Sequence, residues 1–247
     1  QKCLRQQEIK KEFSALPQAL RKKAGRFLKK PENRHIPAKS CKAWQAYQND
    51  LKKKIAGFGD GPASFNYEAT EKGYDVVSFD PVYQFSKEEL SKRIEEVRIV
   101  VMQQMKENMN NYIWKNIRNL DELENLRMSA MRLFLSDYEC GKAENRYIVH
   151  TLPEKLPYND NAFDIGLSSH FLLMYTSLGY DFHIKAMSEM LRVCREIRIF
   201  PIVDLDANKT SLISDVLDYF TNHYNTEIVT TNYEFQKGEN KLLIIKK

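Results

Sequence analysis

The sequence predicts an α/β protein built on a doubly wound, mostly parallel sheet of seven strands that ends in an antiparallel hairpin. Three observations lead there. From residue 51 onward, short apolar runs of strand length alternate with segments of helical periodicity. The first run, Lys54-Ile55-Ala56-Gly57-Phe58, enters a turn with glycines at every second position (Gly57, Gly59, Gly61), and the next run ends on Asp80, 19 positions after Gly61. The last two runs, 227–235 and 241–245, are separated by Gln236-Lys237-Gly238-Glu239-Asn240, which reads as a hairpin turn.

Residues 1–50 form a basic, mainly helical N-terminal extension. Leu16, Ala19, Leu20, Ala24, Phe27 and Leu28 fall near helical spacing among lysines and arginines, with Pro17 in the first turn and Pro31 as the stop. Trp44 and Tyr47 sit on a short stretch that leads into the first strand. After the glycine turn, residues 64–72 make a helix ended by Gly73, and residues 74–80 make the second strand.

A helical insertion or lid, residues 81–146, then replaces the short crossover expected of a doubly wound sheet. Ser86 and Glu89 form a capping-box pattern ahead of Leu90, Ile94, Val97, Val101 and Met105. A second helix runs from near Asp121 to near Gly141, with Leu123, Leu126, Ala130, Leu133 and Phe134 on one side. Asn108, Asn110, Asn111, Tyr112, Trp114 and Asn116 lie between the two, either as a lid over a cavity or as the tip of a hairpin packed on the body. Strands follow at 146–151 and 165–169, a helix at 180–194, a strand at 197–203 apolar enough to be buried on both faces, and a helix at 211–224 before the final pair.

Composition bounds the class. With 247 residues and 43% hydrophobic content the chain can bury a large core. The net charge of +5 conceals an asymmetry: residues 1–54 hold 16 Lys/Arg against 4 Asp/Glu, the remainder 22 against 29. Such an arm is a solvated surface or a contact for a polyanion such as RNA. Cys3, Cys41, Cys140 and Cys194 are too dispersed for a zinc site or a disulfide framework, and no His/Asp/Glu spacing predicts a metal. Reduced thiols, no apolar run near the ~20 residues of a membrane span and no signal peptide lead to a cytoplasmic expectation. Starting at Gln1, the chain is expected to be a processed or truncated product.

Together these motifs resemble the class I S-adenosylmethionine-dependent methyltransferases over about residues 51–247. Gly57-Phe58-Gly59-Asp60-Gly61 is similar to that family's glycine loop, and Asp80 matches its ribose-holding acid. Leu156-Pro157-Tyr158 followed by Asn161-Ala162-Phe163-Asp164 is similar to the family's L-P-F to S-F-D segment, and the closing hairpin is a family trait. The resemblance implies a Rossmann-like sheet and S-adenosylmethionine as cofactor. By it, Gly57, Gly59, Asp60 and Gly61 lie under the methionine portion, Asp80 at the ribose, Leu152 and Pro153 beside the adenine, and Ser168 and Ser169 at the transferred methyl group. The chain departs from the pattern where Gly57 replaces the acid that ends the first strand and Leu152 the adenine-side acid; Asp60 is placed to supply the first from within the loop.

Methyl transfer depends on alignment and water exclusion, with a base needed only if the acceptor must lose a proton early. His170 is the candidate base, or else it orients its loop; Tyr83, Tyr112, Trp114 and Tyr175 are substrate-side candidates that would serve equally as packing. The glycines alone would also suit a tight turn with no ligand. RNA engaged through residues 1–50, or a small molecule enclosed by the insertion, is the expected acceptor. A noncatalytic module that binds RNA or a protein through the arm is the alternative. The sequence does not fix an oligomeric state.

Overall fold

The structure, a computed structural model, describes residues 52–247, so the expected basic extension, with its helix at 16–30, lies outside the described residues. Seven strands form a single sheet: β1 (Lys54–Phe58), β2 (Asp75–Phe79), β3 (Tyr147–Ile148), β4 (Phe163–Ser169), β5 (Cys194–Phe200), β6 (Asn225–Thr230) and β7 (Lys241–Lys246). Their spatial order is β3-β2-β1-β4-β5-β7-β6. β1 to β5 are mutually parallel, while β7 runs antiparallel to both β5 and β6. The chain winds outward from β1 through β2 to β3, then returns to β4 on the other side of β1. The glycine turn after β1 therefore lies at the point where the winding reverses, the crevice at which open α/β sheets hold ligands.

Alternation along the central strands places a core on each face. Ala56, Phe58, Val77 and Phe79 point into the larger cluster with α4 (Tyr180–Val193) and α5 (Ser211–His223), including Met187, Met190 and Phe220. Ile55 and Val76 point the other way, to Phe65 and Ala69 of α1 (Phe65–Thr70).

The insertion is a helical hairpin, α2 (Lys87–Glu107) and α3 (Leu120–Ala143). Ser86 accepts from Glu89 N–H and the Glu89 carboxylate accepts from Ser86 N–H, the expected capping box; Leu90, Ile94, Val97, Val101 and Met105 are all buried. The base of α3 is tied to the sheet edge. Arg146 donates two 2.6 Å hydrogen bonds to the two oxygens of Asp137 and a third, 2.8 Å, to Asn66 Oδ1. Asn66 in turn donates to Ser78 Oγ and the Arg146 carbonyl, so α1, β2, β3 and α3 share one polar network.

Several boundaries differ from expectation. β5 starts at Cys194, directly after α4, and stops at Phe200 because Pro201 has no N–H to continue the ladder; the apolar 201–203 segment lies beyond it. Ladder pairing keeps only Tyr147 and Ile148 of the expected 146–151 strand. The strand expected over 227–235 ends at Thr230, and the turn expected at 236–240 is the far end of a longer excursion. Tyr233 and Phe235 leave the sheet to pack with Tyr112 and Trp114 of the insertion, and Ile113 N–H donates to the Phe235 carbonyl at 2.7 Å. Their β-favouring side chains serve a tertiary contact instead of a ladder.

Replacing Arg146 by Met should cost about 3 kcal/mol in urea unfolding, because it leaves the buried Asp137 carboxylate without its countercharge, with the Tyr147 hydroxyl still donating to it. Arg146→Met combined with Asp137→Leu should recover most of that loss.

Candidate functional site

At the reversal point the backbone is shaped by glycine. Gly59 and Gly61 adopt φ of 71° and 60°, the left-handed region that disfavours a side chain. Gly57 has a different role. A Cβ built there would lie 1.9 Å from Asp60 Oδ2, so the Asp60 carboxylate occupies the space a side chain at the end of β1 would take. It is held there by Ser78 of β2, whose hydroxyl donates to Asp60 Oδ2 at 2.5 Å.

Asp80 follows β2 and is 7% exposed. Its Oδ2 accepts from Gly61 N–H and its Oδ1 from Val82 N–H, both at 2.8 Å, so it clamps the glycine loop and caps the short 3-10 turn Pro81–Gln84. Burial pushes the Asp60 carboxyl up to about 7, and the negative charge of Asp80 adds to the rise. Burial likewise pushes Asp80 up to about 6, against the pull of its two backbone donors. Tyr83 lies fully buried beneath the loop, donates to the Gly61 carbonyl at 3.0 Å, and packs with Phe134, Tyr138 and Tyr147. Burial and the two nearby acids keep its phenol well above the ordinary range.

Beyond β4 the chain turns sharply. His170 and Leu173 have φ of 56° and 67°, uncommon for any side chain and more so for leucine. The His170 N–H donates to the Phe200 carbonyl at the end of β5, and His170 Nδ1 shares a 2.7 Å hydrogen bond with Ser169 Oγ. Ser168 is buried, its hydroxyl on the Phe58 carbonyl of β1. The neighbouring Phe171 faces the glycine loop: a Cβ on Gly59 would meet its Cδ1 at 2.6 Å, so its ring covers the bare backbone there. Leu152 is buried in the larger core cluster, and the bond to Pro153 is cis. His150, just before them, sets its ring edge-on to Phe79, 6.2 Å between centroids.

On the other side of the 168–171 segment is a cavity of about 750 Å³. The insertion supplies Gln104, Met105, Asn108, Tyr112 and Arg127; the turn after β4 supplies His170 and Met174; the loop after β5 supplies Leu205 and Asp206; the excursion before β7 supplies Gln236 and Glu239. The structure thus divides the expected residues into two groups. Gly57, Asp60, Gly61 and Asp80 come together at the loop, with Gly59 under Phe171, whereas His170 and Tyr112 line the cavity. Trp114 supports the cavity from outside its lining by packing on Tyr112 and Phe235. Tyr175 is 2% exposed and, like Tyr83, is not part of the lining. Phe171, Arg127 and Glu239 were missed by sequence reasoning. Arg127 and Glu239 stand in polar stretches that look solvated, and only the docking of the two excursions buries them. Phe171 carried a signal, an aromatic directly after the Ser-Ser-His turn.

Comparison with curated proteins finds a relative. The chain is 36% identical over 200 residues to the uncharacterized protein MJ0045 of Methanocaldococcus jannaschii, covering 80% of this chain and 87% of that one. The chain belongs to the family of that protein. No protein-family model matches it. Among solved structures, a protein from Methanosarcina mazei described as a SAM-dependent methyltransferase is similar over 82% of this chain and 96% of its own, with 11% identity and a TM-score of 0.42. A SAM-dependent methyltransferase from Aquifex aeolicus is similar over 85% and 91%, with 12% identity and a TM-score of 0.38. At these values the likeness carries nothing about chemistry. The order of the strands, the antiparallel β7 and the loop at the reversal point make this a Rossmann-like sheet closed by a C-terminal hairpin. Among the described residues no cluster suited to a metal is present, and no helix is long and apolar enough to cross a membrane.

Two outcomes follow from the loop. Gly57→Ala should destabilise the protein by about 1–3 kcal/mol by evicting the Asp60 carboxylate, and Asp60→Ala in the same chain should restore much of it, giving a coupling above about 1 kcal/mol in a double-mutant cycle. Because the folded-state carboxyl of Asp60 is raised to about 7 from 3.8, the native state holds the proton more tightly than the unfolded chain between those values. Stability should therefore fall as pH rises from about 4 to 7. Denaturant melts of Asp60→Asn should show that fall reduced by on the order of 2 kcal/mol.

Proposed function

We propose that the protein is an S-adenosylmethionine-dependent methyltransferase acting on an acceptor bound in the cavity behind His170. The observation that carries this reading is the pair of inward-facing carboxylates, Asp60 and Asp80, set at the reversal point of the sheet. Both are raised by burial, and among the described residues neither finds a cation. A ligand with positive charge beside the loop would offset the cost of ionising them. S-adenosylmethionine carries an ammonium and a sulfonium and fits that requirement. Gly57, Gly59, Asp60 and Gly61 would hold its methionine portion, Asp80 its ribose, and Leu152 and Pro153 its adenine.

When bound, this cofactor supplies an activated methyl group on sulfur. The chain's own contribution is placement. Ser169 holds the His170 ring through a hydrogen bond at Nδ1, which would orient the imidazole for proton uptake from an acceptor. The left-handed turns at His170 and Leu173 keep the imidazole in the cavity wall, a strained geometry of the kind retained where it serves a site. Phe171, one residue on, shields the loop from water.

A second reading is supported by the same region. Both oxygens of Asp80 already accept backbone donors and Phe171 covers Gly59, which is how a fold kept as a noncatalytic binding module would look. Calorimetry with S-adenosylmethionine and the intact chain separates them. The methyltransferase reading expects saturable heat, an Asp80→Ala variant weakened by roughly 1–3 kcal/mol, and an intermediate Asp80→Asn variant. Absence of heat from the intact chain overturns it in favour of the module.

A further inference from the structure

The Asp60 carboxyl is held by a single side chain. Among the described residues its Oδ2 accepts from the Ser78 hydroxyl at 2.5 Å, and its Oδ1 has no hydrogen-bond partner. Ser78 is 1% exposed, and its orientation is set from behind: Asn66 donates to its oxygen at 3.2 Å, so the one hydroxyl hydrogen goes to Asp60. Asn66 is fixed in turn, donating to the Val76 and Arg146 carbonyls and accepting from the Arg146 guanidinium. With Oδ2 engaged as an acceptor, the proton of a neutral Asp60 belongs on Oδ1. The notch at Gly57 leaves room for the carboxyl in this place.

The neighbouring groups decide how readily that proton leaves. Burial pushes Asp60 up to about 7, and Asp80, just after β2, adds negative charge. Tyr83, from the 3-10 turn, is raised by burial and by both acids and stays a neutral phenol. Gly57 of β1 brings no side chain, and Asn66 of α1 brings no charge. Arg146, ahead of β3, is separated from Asp60 by Asn66 and Ser78 and is engaged by Asp137 and Glu144. Of these neighbours only the Ser78 hydroxyl favours the ionised form, because a donor to a carboxylate stabilises its charge. It does not outweigh burial, so the carboxyl keeps its proton over a range in which an exposed aspartate has lost it.

We propose that Ser78 is the positioning residue of the glycine loop, holding Asp60 so that an ammonium-bearing ligand is taken up there in exchange for the Asp60 proton. The exchange rests on the reading of the preceding subsection, in which the methionine portion of S-adenosylmethionine lies at Asp60. It balances without any covalent bond to the ligand: the Oδ1–H bond breaks, its electron pair stays on the carboxylate, the proton passes to solvent, and the ammonium supplies the countercharge. A ligand without that ammonium drives no exchange. The loop thereby separates an amino-acid-bearing adenosine from its neutral thioether fragment by charge, and affinity climbs with pH until Asp60 is ionised in the free protein.

The test uses the full chain in two arms. Without ligand, carbon-detected NMR titration of the aspartate carboxyls, with Asp60→Asn assigning the resonance, should place the Asp60 midpoint at about 7. Ser78→Ala should move that midpoint up by about one pH unit or more. With ligand, calorimetry at about pH 6.5 in buffers of different ionisation enthalpy counts protons. S-adenosylmethionine should release at least about half a proton, and Asp60→Asn less than half as much. 5′-Deoxy-5′-methylthioadenosine, which lacks the ammonium, should also release less than half as much. Ser78→Ala should weaken S-adenosylmethionine at least about fivefold at about pH 6.5 and less than about twofold at about pH 8.5, whereas a merely structural contact would give the same loss at both. If Ser78→Ala loses its native circular dichroism, Ser78→Cys, a weaker donor of similar shape, takes its place and should show at least about a twofold loss confined to the lower pH. An Asp60 midpoint in the ordinary carboxylate range, a midpoint unmoved in the Ser78 variant, or an equal loss at both pH values overturns the proposal. S-adenosylmethionine bound without proton release overturns it and leaves the methyltransferase reading. No binding at all overturns that reading and the exchange together, while the ligand-free arm still decides whether Ser78 governs the Asp60 proton.

Discussion

The fit between Gly57 and Asp60 is the constraint on which the functional end of the sheet depends. A strand-ending residue with no side chain leaves a notch, and a carboxylate three residues later folds back into it. From there a chain of hydrogen bonds runs through Ser78 and Asn66 to Arg146 and the Asp137 carboxylate. The loop is thus fastened to α1, to β2, to β3 and to the base of the insertion by groups that satisfy one another. Such a network fixes geometry more than it adds stability, since each member is costly to bury and cheap only in company. It holds Asp60 close enough to Asp80 that the negative charge of Asp80 makes Asp60 harder to ionise.

Much of this architecture was legible in the chain. Alternating apolar runs marked seven strands in their succession along the chain, and the capping box at Ser86 with its four- and three-residue spacing located α2 and its buried face. These are local signals, set by backbone geometry within a few residues. What stayed hidden was decided by distant contacts. Nothing in Tyr233 or Phe235 distinguishes a strand from an excursion, because the partner that captures them, Tyr112, lies in the insertion. That the glycine loop and Asp80 come together was readable because their spacing along the chain reflects the turn of one β-α-β unit. The cavity was not, since its wall is assembled from four separate segments.

Two surfaces of one short turn connect these halves. His170 faces the cavity and Phe171 faces the loop, and both orientations follow from the left-handed backbone at His170 and the ladder-like bond from its N–H to Phe200. A displacement of this segment would be felt on both sides at once. The same turn that closes one compartment defines the wall of the other.

The docking of the 231–240 excursion on the insertion also bears on how the molecule assembles. The Ile113–Phe235 hydrogen bond and the Tyr112–Gln236 bridge join segments far apart in sequence, whereas β1, α1 and β2 form from neighbours. Closing so long a loop is entropically expensive, so these contacts belong to the late part of folding. On the ribosome the insertion emerges with Tyr112 and Trp114 uncovered, and they stay so until the last strands are made. Truncation or stalling near the C-terminus would therefore release a chain whose sheet centre can form but whose aromatic roof surface remains exposed and prone to association.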